Sequence, residues 1–220
     1  YVMTDMFKMI ADGKSALLHD LFLTSVKCST AQVVEQDGNI IKELGDPTEI
    51  ALIKASILNG FKPDQFNSYN IIDSVPFSSE LMFSAILTKD SIGKHDIYMK
   101  GAPEKILMFC TSYYLDGKVQ TLDDHHRQHI GKELSSRSEK GFRLIGFVKK
   151  SNVGDIQKID VNDLTGFTFL ATAAIYDPPK DEVKQMIQET KDANINVVMI
   201  TGDSIKTGFS IAESVCIASD

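Results

Sequence analysis

Several residues in this sequence have the types and spacing to handle an anion or a base. The alternating run Asp96-Ile97-Tyr98-Met99 ends in Lys100 and is followed by Gly101-Ala102-Pro103-Glu104. This pattern predicts a strand, a turn and a helix over 103–110, with Pro103 in the first turn, where its missing N–H costs nothing. A cation delivered to a Gly-rich turn and a helix start suits a phosphate, although purely structural joints share the spacing. Thr201-Gly202-Asp203 follows the apolar run Ile195 to Ile200. That is where an open parallel sheet holds ligands, and Asp203 is equally suited to capping a helix. Phe77 offers either a core ring or a stacking face for a base. Arg143, beside Gly141-Phe142, is either a surface residue or a phosphate clamp. His125, His126 and His129 form H-H-x-x-H, with His126 and His129 placed to share a helix face. No acidic or cysteine partner stands at zinc spacing, and Asp123, Asp124, Arg127 and Lys132 mark a solvated face, so no metal site is expected.

The elements that must position these residues follow from periodicity. Leu17, Leu18, Leu21, Phe22 and Val26 form a helical stripe within 14–30. Gln32 to Leu44 reads as a hairpin turning at Asp37-Gly38-Asn39. Asp46 as N-cap and Pro47 at the first helical position open a helix whose stripe is Ile50, Ile53, Ile57 and Leu58, closed by Gly60. Strands are predicted at 71–77, 83–88 and 95–100, then a hairpin around Leu115-Asp116-Gly117-Lys118. A polar helix over 123–139, a strand from Arg143 to Lys149 and a strongly apolar strand from Phe167 to Tyr176 complete this part. Asp177-Pro178-Pro179-Lys180 is a stiff corner, because two prolines fix φ and forbid a continuing ladder. Beyond it the pattern becomes helix 181–193, strand 195–200 and helix 204–217, a strand–loop–helix unit of a parallel sheet. The expected organisation is therefore residues 1–176 as one domain and 177–220 as the start of another.

Composition narrows the function classes. In 220 residues, 43% are apolar, which supports a sizeable core. The net charge of −7 argues against a nucleic-acid-coating protein but leaves room for a small basic pocket. Cys28, Cys110 and Cys216, far apart and in apolar contexts, suit buried free thiols in a reducing compartment. No apolar run approaches the length of a membrane span. Position 1 is Tyr and the chain stops soon after a helical run, so the sequence reads as a piece of something larger.

Six motifs occur in one order: Gly45-Asp46-Pro47-Thr48-Glu49-Ile50-Ala51-Leu52, Pro76-Phe77-Ser78-Ser79-Glu80, Lys100-Gly101-Ala102-Pro103-Glu104, Gly141-Phe142-Arg143, Asp177-Pro178-Pro179-Lys180 and Thr201-Gly202-Asp203. From about residue 15 the chain resembles the nucleotide-binding domain of P-type (E1-E2) cation-transporting ATPases, with the start of the phosphorylation domain. The resemblance implies an α+β nucleotide-binding domain, an antiparallel sheet flanked by helices. A partial α/β Rossmann-like (haloacid-dehalogenase-like) segment is implied to follow it. It implies that Phe77 stacks on adenine with Lys100 and Gly101 as a wall beside it, that Arg143 reaches the phosphates, and that Thr48, Glu49 and Glu80 line the adenosine end. Residues 177–180 would be the hinge, and Thr201 and Asp203 would meet the γ-phosphate and support magnesium. The implied cofactors are ATP and Mg2+. The implied partners are ATP or ADP and the pump's phosphorylation, actuator and transmembrane domains, with no nucleic acid. The implied location is the cytoplasmic face of a membrane.

The sequence departs from the family pattern in four places. The DKTGT motif that carries the phosphorylated aspartate does not occur, and neither does GDGxND. Leu81-Met82 stand where many relatives place Arg-Lys, which removes one cationic contact to the nucleotide. Asn194 replaces a glycine usual in the Ala-Gly-Ile turn, a modest change because Asn tolerates left-handed backbone. The expected activity is ATP binding and presentation for phosphoryl transfer within a full-length pump, with no turnover by this piece alone. A regulatory or partner-docking module is the alternative.

Overall fold

The computed structural model describes residues 15–36, 39–176, 179–201 and 205–218. The chain divides into two compact units. One comprises the described residues up to Arg127 with Ile145–Ala173, and the other Gln128–Leu144 with the described residues from Ala174 onward.

In the first unit, helix α1 (Ser15–Lys27) leads through a short loop into the two-stranded hairpin β1 (Gln32–Gln36) and β2 (Asn39–Leu44). The expected turn residues Asp37 and Gly38 lie outside the described residues. Helix α2 (Pro47–Leu58) starts as its sequence requires: Asp46 sits at φ −66 and its side chain accepts from the N–H groups of Thr48 and Glu49. Its buried face is Leu52, Ile53 and Ser56, whereas Leu58 is exposed. The predicted stripe is therefore rotated, because α2 packs against α1 and the β1 hairpin rather than lying on a wide apolar surface.

The main sheet has seven strands: β3 (Asn70–Val75), β4 (Phe83–Lys89), β5 (His95–Gly101), β6 (Cys110–Leu115), β7 (Lys118–Thr121), β8 (Arg143–Lys150) and β9 (Phe167–Ile175). Their order is β3-β4-β5-β8-β9-β6-β7. β4 is antiparallel to both β3 and β5, β5 to β8 and β6 to β7, while β6 runs parallel to β9. β4 and β5 are buried along nearly their whole length, and β5 holds the polar His95, Asp96 and Lys100 buried beside its apolar residues. On one face Ile86 and Tyr98 meet Leu18, Phe22 and Leu23 of α1, together with Cys28 and Phe66, in a single cluster. Each such side chain contributes about 1.5–3 kcal/mol by leaving water.

The helix expected over 103–110 is shorter. It is a four-residue helix α3 (Pro103–Ile106) running into a 3-10 turn, Leu107–Phe109. Ile106 and Leu107 must both be buried, and the tighter turn turns Leu107 inward. Helix α4 (Asp124–Glu139) buries none of its residues, as its polar sequence requires. Arg127 in its first turn donates to the carbonyls of Leu107 and Cys110.

In the second unit the helices α5 (Asp181–Asp192) and α6 (Ile205–Ser214) match expectation. Residues 195–200 do not: they carry no strand pairing, and Ile195, Val198 and Ile200 are exposed. A parallel strand exists only through neighbours that take its N–H and C=O groups, and among the described residues this segment has none. Asn194 before it takes φ 58, the left-handed conformation that asparagine tolerates.

Candidate functional site

One part of the site is built at the end of β5. Alternation along the strand puts Lys100 on the same face as Tyr98, toward α1. The Lys100 side chain is 7% exposed, and its Nζ donates to Ser29 Oγ at 2.7 Å and to Glu49 Oε1 at 2.9 Å. The other carboxylate oxygen of Glu49 accepts from Thr30 N at 2.8 Å, Ala31 N at 3.1 Å and the Thr30 hydroxyl at 3.1 Å. Burial pushes the Glu49 carboxyl up, but the bond to Lys100, its charge, and the N–H groups of Thr30 and Ala31 outweigh it and hold Glu49 below the usual range.

Gly101 is required by close packing. A Cβ there would stand 2.5 Å from the Met82 carbonyl oxygen and 2.6 Å from Phe83 Cα. Across the ladder it faces Gly146, where a Cβ would meet Ile106 Cδ1 at 2.8 Å. The two glycines let β4, β5, β8 and α3 converge.

Phe77 leaves the sheet at this same end. Val75 pairs with Ala85, which pairs with Met99, so the loop 76–82 begins level with the Lys100 end of β5. The loop closes on itself: Met82 N donates to Ser78 O at 2.8 Å and Leu81 N to Ser78 Oγ at 3.1 Å. Met82 takes φ 61 and its carbonyl accepts from Ala102 N at 2.9 Å. Phe77 is 63% exposed, Glu80 is exposed and Thr48 half-exposed.

Of the residues expected to act together, the structure joins Lys100 to Glu49 and seats Gly101 on the Met82-Phe83 backbone. Arg143 is exposed, opens β8 and belongs to the second unit, as does the exposed Thr201. Asp203, Gly202, Asp177 and Pro178 lie outside the described residues. In the second unit, Gly141 takes φ +80 and Phe142 packs on Tyr176 with ring centroids 5.3 Å apart.

Sequence reasoning missed Ser29, Thr30 and Ala31, whose contacts to residues 18–71 positions away leave no local trace. It also missed a charged network on the α1 face, where Lys149 Nζ reaches Asp20 at 2.9 Å and Asp96 at 3.3 Å. Among the described residues, Asp123, His125 and His126 form a group whose potential metal-ligating atoms lie within 4.8 Å of one another. His129 is not part of it, and Asp123 already accepts from His126 Nδ1 at 2.7 Å.

These features define a mixed α/β domain with a seven-stranded sheet, compatible with a nucleotide-binding domain. A family profile described as P-type ATPase, cytoplasmic domain N, matches residues 17–182. The chain is 34% identical over 215 residues to the cation-transporting ATPase pma1 of Synechocystis sp., covering 96% of this chain and 23% of that protein. It is 28% identical over 208 residues to a calcium-transporting ATPase of Bacillus subtilis, with coverages of 94% and 23%. To the sodium/potassium-transporting ATPase subunit alpha-1 of Oreochromis mossambicus it is 31% identical over 225 residues, with coverages of 95% and 22%. The chain belongs to the P-type ATPase cytoplasmic domain N family. It spans under a quarter of the length of these relatives, and no helix among the described residues is long and apolar enough to cross a membrane.

Proposed function

We propose that this chain is the ATP-binding part of a P-type cation-transporting ATPase, presenting ATP for phosphoryl transfer to an aspartate outside its 220 residues. The observation that carries the reading is Phe77, a large ring left 63% exposed while Phe83, Tyr98 and Phe147 on adjacent strands are buried. A ring held in solvent on a self-closed loop is available to a base, and such stacking contributes about 1–3 kcal/mol. Thr48, Glu49 and Glu80 line the adenosine end. Lys100 forms a wall of the pocket with its charge fixed in place by Glu49, and Gly101 keeps that wall close to the loop. Arg143 supplies a charge-assisted contact to the phosphates.

Residues 1–176 act as the nucleotide domain and 177–180 as the hinge to the phosphorylation domain that begins in 177–220. There Thr201 and Asp203 support the γ-phosphate and its Mg2+, whose charge neutralises the transferring phosphoryl group. The other partners are the pump's remaining phosphorylation domain, its actuator and its transmembrane domains, at the cytoplasmic face of a membrane. Without a nucleophile the chain alone does not turn over. Calorimetric titration with ATP and ADP tests the reading. Saturable binding weakened by Phe77→Ala supports it, and no binding at millimolar ATP, or binding that Phe77→Ala leaves unchanged, rejects it.

A further inference from the structure

The opposite end of β5 carries a feature that the nucleotide reading does not use. His95, the first residue of the strand, has a side chain 5% exposed, and its Nε2 has no hydrogen-bond partner among the described residues. A buried ring nitrogen left without a hydrogen bond is unfavourable, so this nitrogen calls for a ligand. Asp155 Oδ1 stands 3.5 Å away, on a side chain 81% exposed whose same oxygen accepts from Gln157 Nε2 at 3.0 Å.

His95 lines an open pocket of about 440 Å³ with Lys89, Gly93, Lys94, Asn152, Gly154 and Asp155. Both walls are preformed. The β4–β5 turn is tied by Asp90 Oδ1, which accepts from Ile92 N and Lys94 N at 3.0 and 2.8 Å. The facing loop is pinned to β5 by Asn152 N on Asp96 Oδ1 at 2.9 Å and Val153 N on the His95 carbonyl at 3.1 Å. Asn152 and Gly154 take φ 57 and 74, a backbone these residue types adopt readily. Lys94 is paired to Asp96 at 3.1 Å, while Lys89 has no ion-pair partner among the described residues. Lys89, the paired Lys94 and a buried ring nitrogen thus line the pocket with the solvent-exposed Asp155 carboxylate.

We propose that this pocket binds a free phosphate-class oxyanion, inorganic phosphate or a small phosphate monoester, which replaces the Asp155 carboxylate at His95 Nε2. Lys89 supplies the countercharge, beside the Lys94–Asp96 pair. The site stands five residues along β5 from Lys100, about 17 Å at strand rise, so it does not depend on nucleotide binding at Phe77.

The test is titration of the full 220-residue chain with inorganic phosphate at constant ionic strength, followed by NMR of the His95 ring and the Gly93 and Gly154 amides. Saturable shifts at these groups are expected. Lys89→Ala should weaken binding by about fivefold, on the scale of one exposed charge contact near 1 kcal/mol, and His95→Gln should abolish it. Asp155→Asn should tighten it, because the competing carboxylate is gone. Phe77→Ala should leave phosphate binding unchanged, so failure of the nucleotide reading and failure of this one are seen separately. The proposal is overturned if phosphate produces no saturable shift or if Asp155→Asn weakens binding. Capture by phosphatidic acid vesicles without saturable binding of inorganic phosphate also overturns the assignment to a free oxyanion.

Discussion

Lys100 Nζ and Glu49 Oε1 stand 2.9 Å apart across 51 residues of sequence, joining the end of β5 to the first turn of α2. Neither group is free in solvent, and each has further hydrogen bonds, from Thr30 and Ala31 on one side and to Ser29 on the other. Breaking such a pair from one side strands the other charge. Lys100→Met or Glu49→Gln alone should each lower stability by about 3 kcal/mol, and the double variant by clearly less than the sum. Urea denaturation of the four proteins measures the coupling, and strict additivity would show that the pair is not coupled.

The same carboxylate gives the fold an acid-sensitive edge. Burial pushes Asp20 up, but its bonds to His19 and Lys149 and their charges hold it below its ordinary 3.8; Glu49 is likewise held below 4.5. A carboxyl with a depressed folded pKa contributes stability that is present above its unfolded value and lost as pH falls through the folded one. The melting temperature should therefore hold from neutrality to about pH 5 and then fall. Asp20→Asn and Glu49→Gln should start lower and fall less steeply over the acid range, as followed by circular dichroism.

The facing glycines should differ in cost. At Gly101 an added methyl meets backbone, the Met82 carbonyl and Phe83 Cα, neither of which can step aside. At Gly146 the nearest atom is the far end of the Ile106 side chain, although Pro103 Cα stands at 3.0 Å. Gly101→Ala should cost about 3 kcal/mol and Gly146→Ala about 1 kcal/mol, within the range for overpacking. Thermal melts of the two variants decide the order, and a reversed order would contradict the packing.

Phe77→Ala removes an exposed ring, so its effects on folding and on binding should separate. Stability should change by less than about 0.5 kcal/mol, as at other surface positions. ATP affinity should fall by about thirtyfold, the middle of the range for one stacked base. Paired calorimetry and melts on one preparation measure both numbers.

Much of the fold was legible where the deciding interaction is local. Asp46 caps a helix whose N–H groups lie two and three residues on, and Asp116-Gly117 turn a hairpin because both take positive φ. Alternation and apolar runs placed the strands from Asn70 to Gly101. The site was legible only in part, because its decisive contacts are distant. Nothing near Lys100 indicates that its ammonium turns inward onto a helix start 51 residues earlier, or that His95 is buried with no partner for Nε2 among the described residues. The segment 195–200 has the composition of a strand, but composition cannot supply the neighbour that makes one. The stripe of α2 failed for a related reason, since which side of a helix is buried depends on what lies against it.

The three cysteines differ in a way that bears on how this chain can be studied. Burial pushes the thiols of Cys28 and Cys110 up to about 12, whereas Cys216 is half-buried just beyond α6. A thiol reacts as its thiolate, so a maleimide at neutral pH selects Cys216 without any cysteine being replaced. The native sequence thus carries its own single attachment point for a fluorophore or spin label, in the unit that does not hold Phe77 or Lys100.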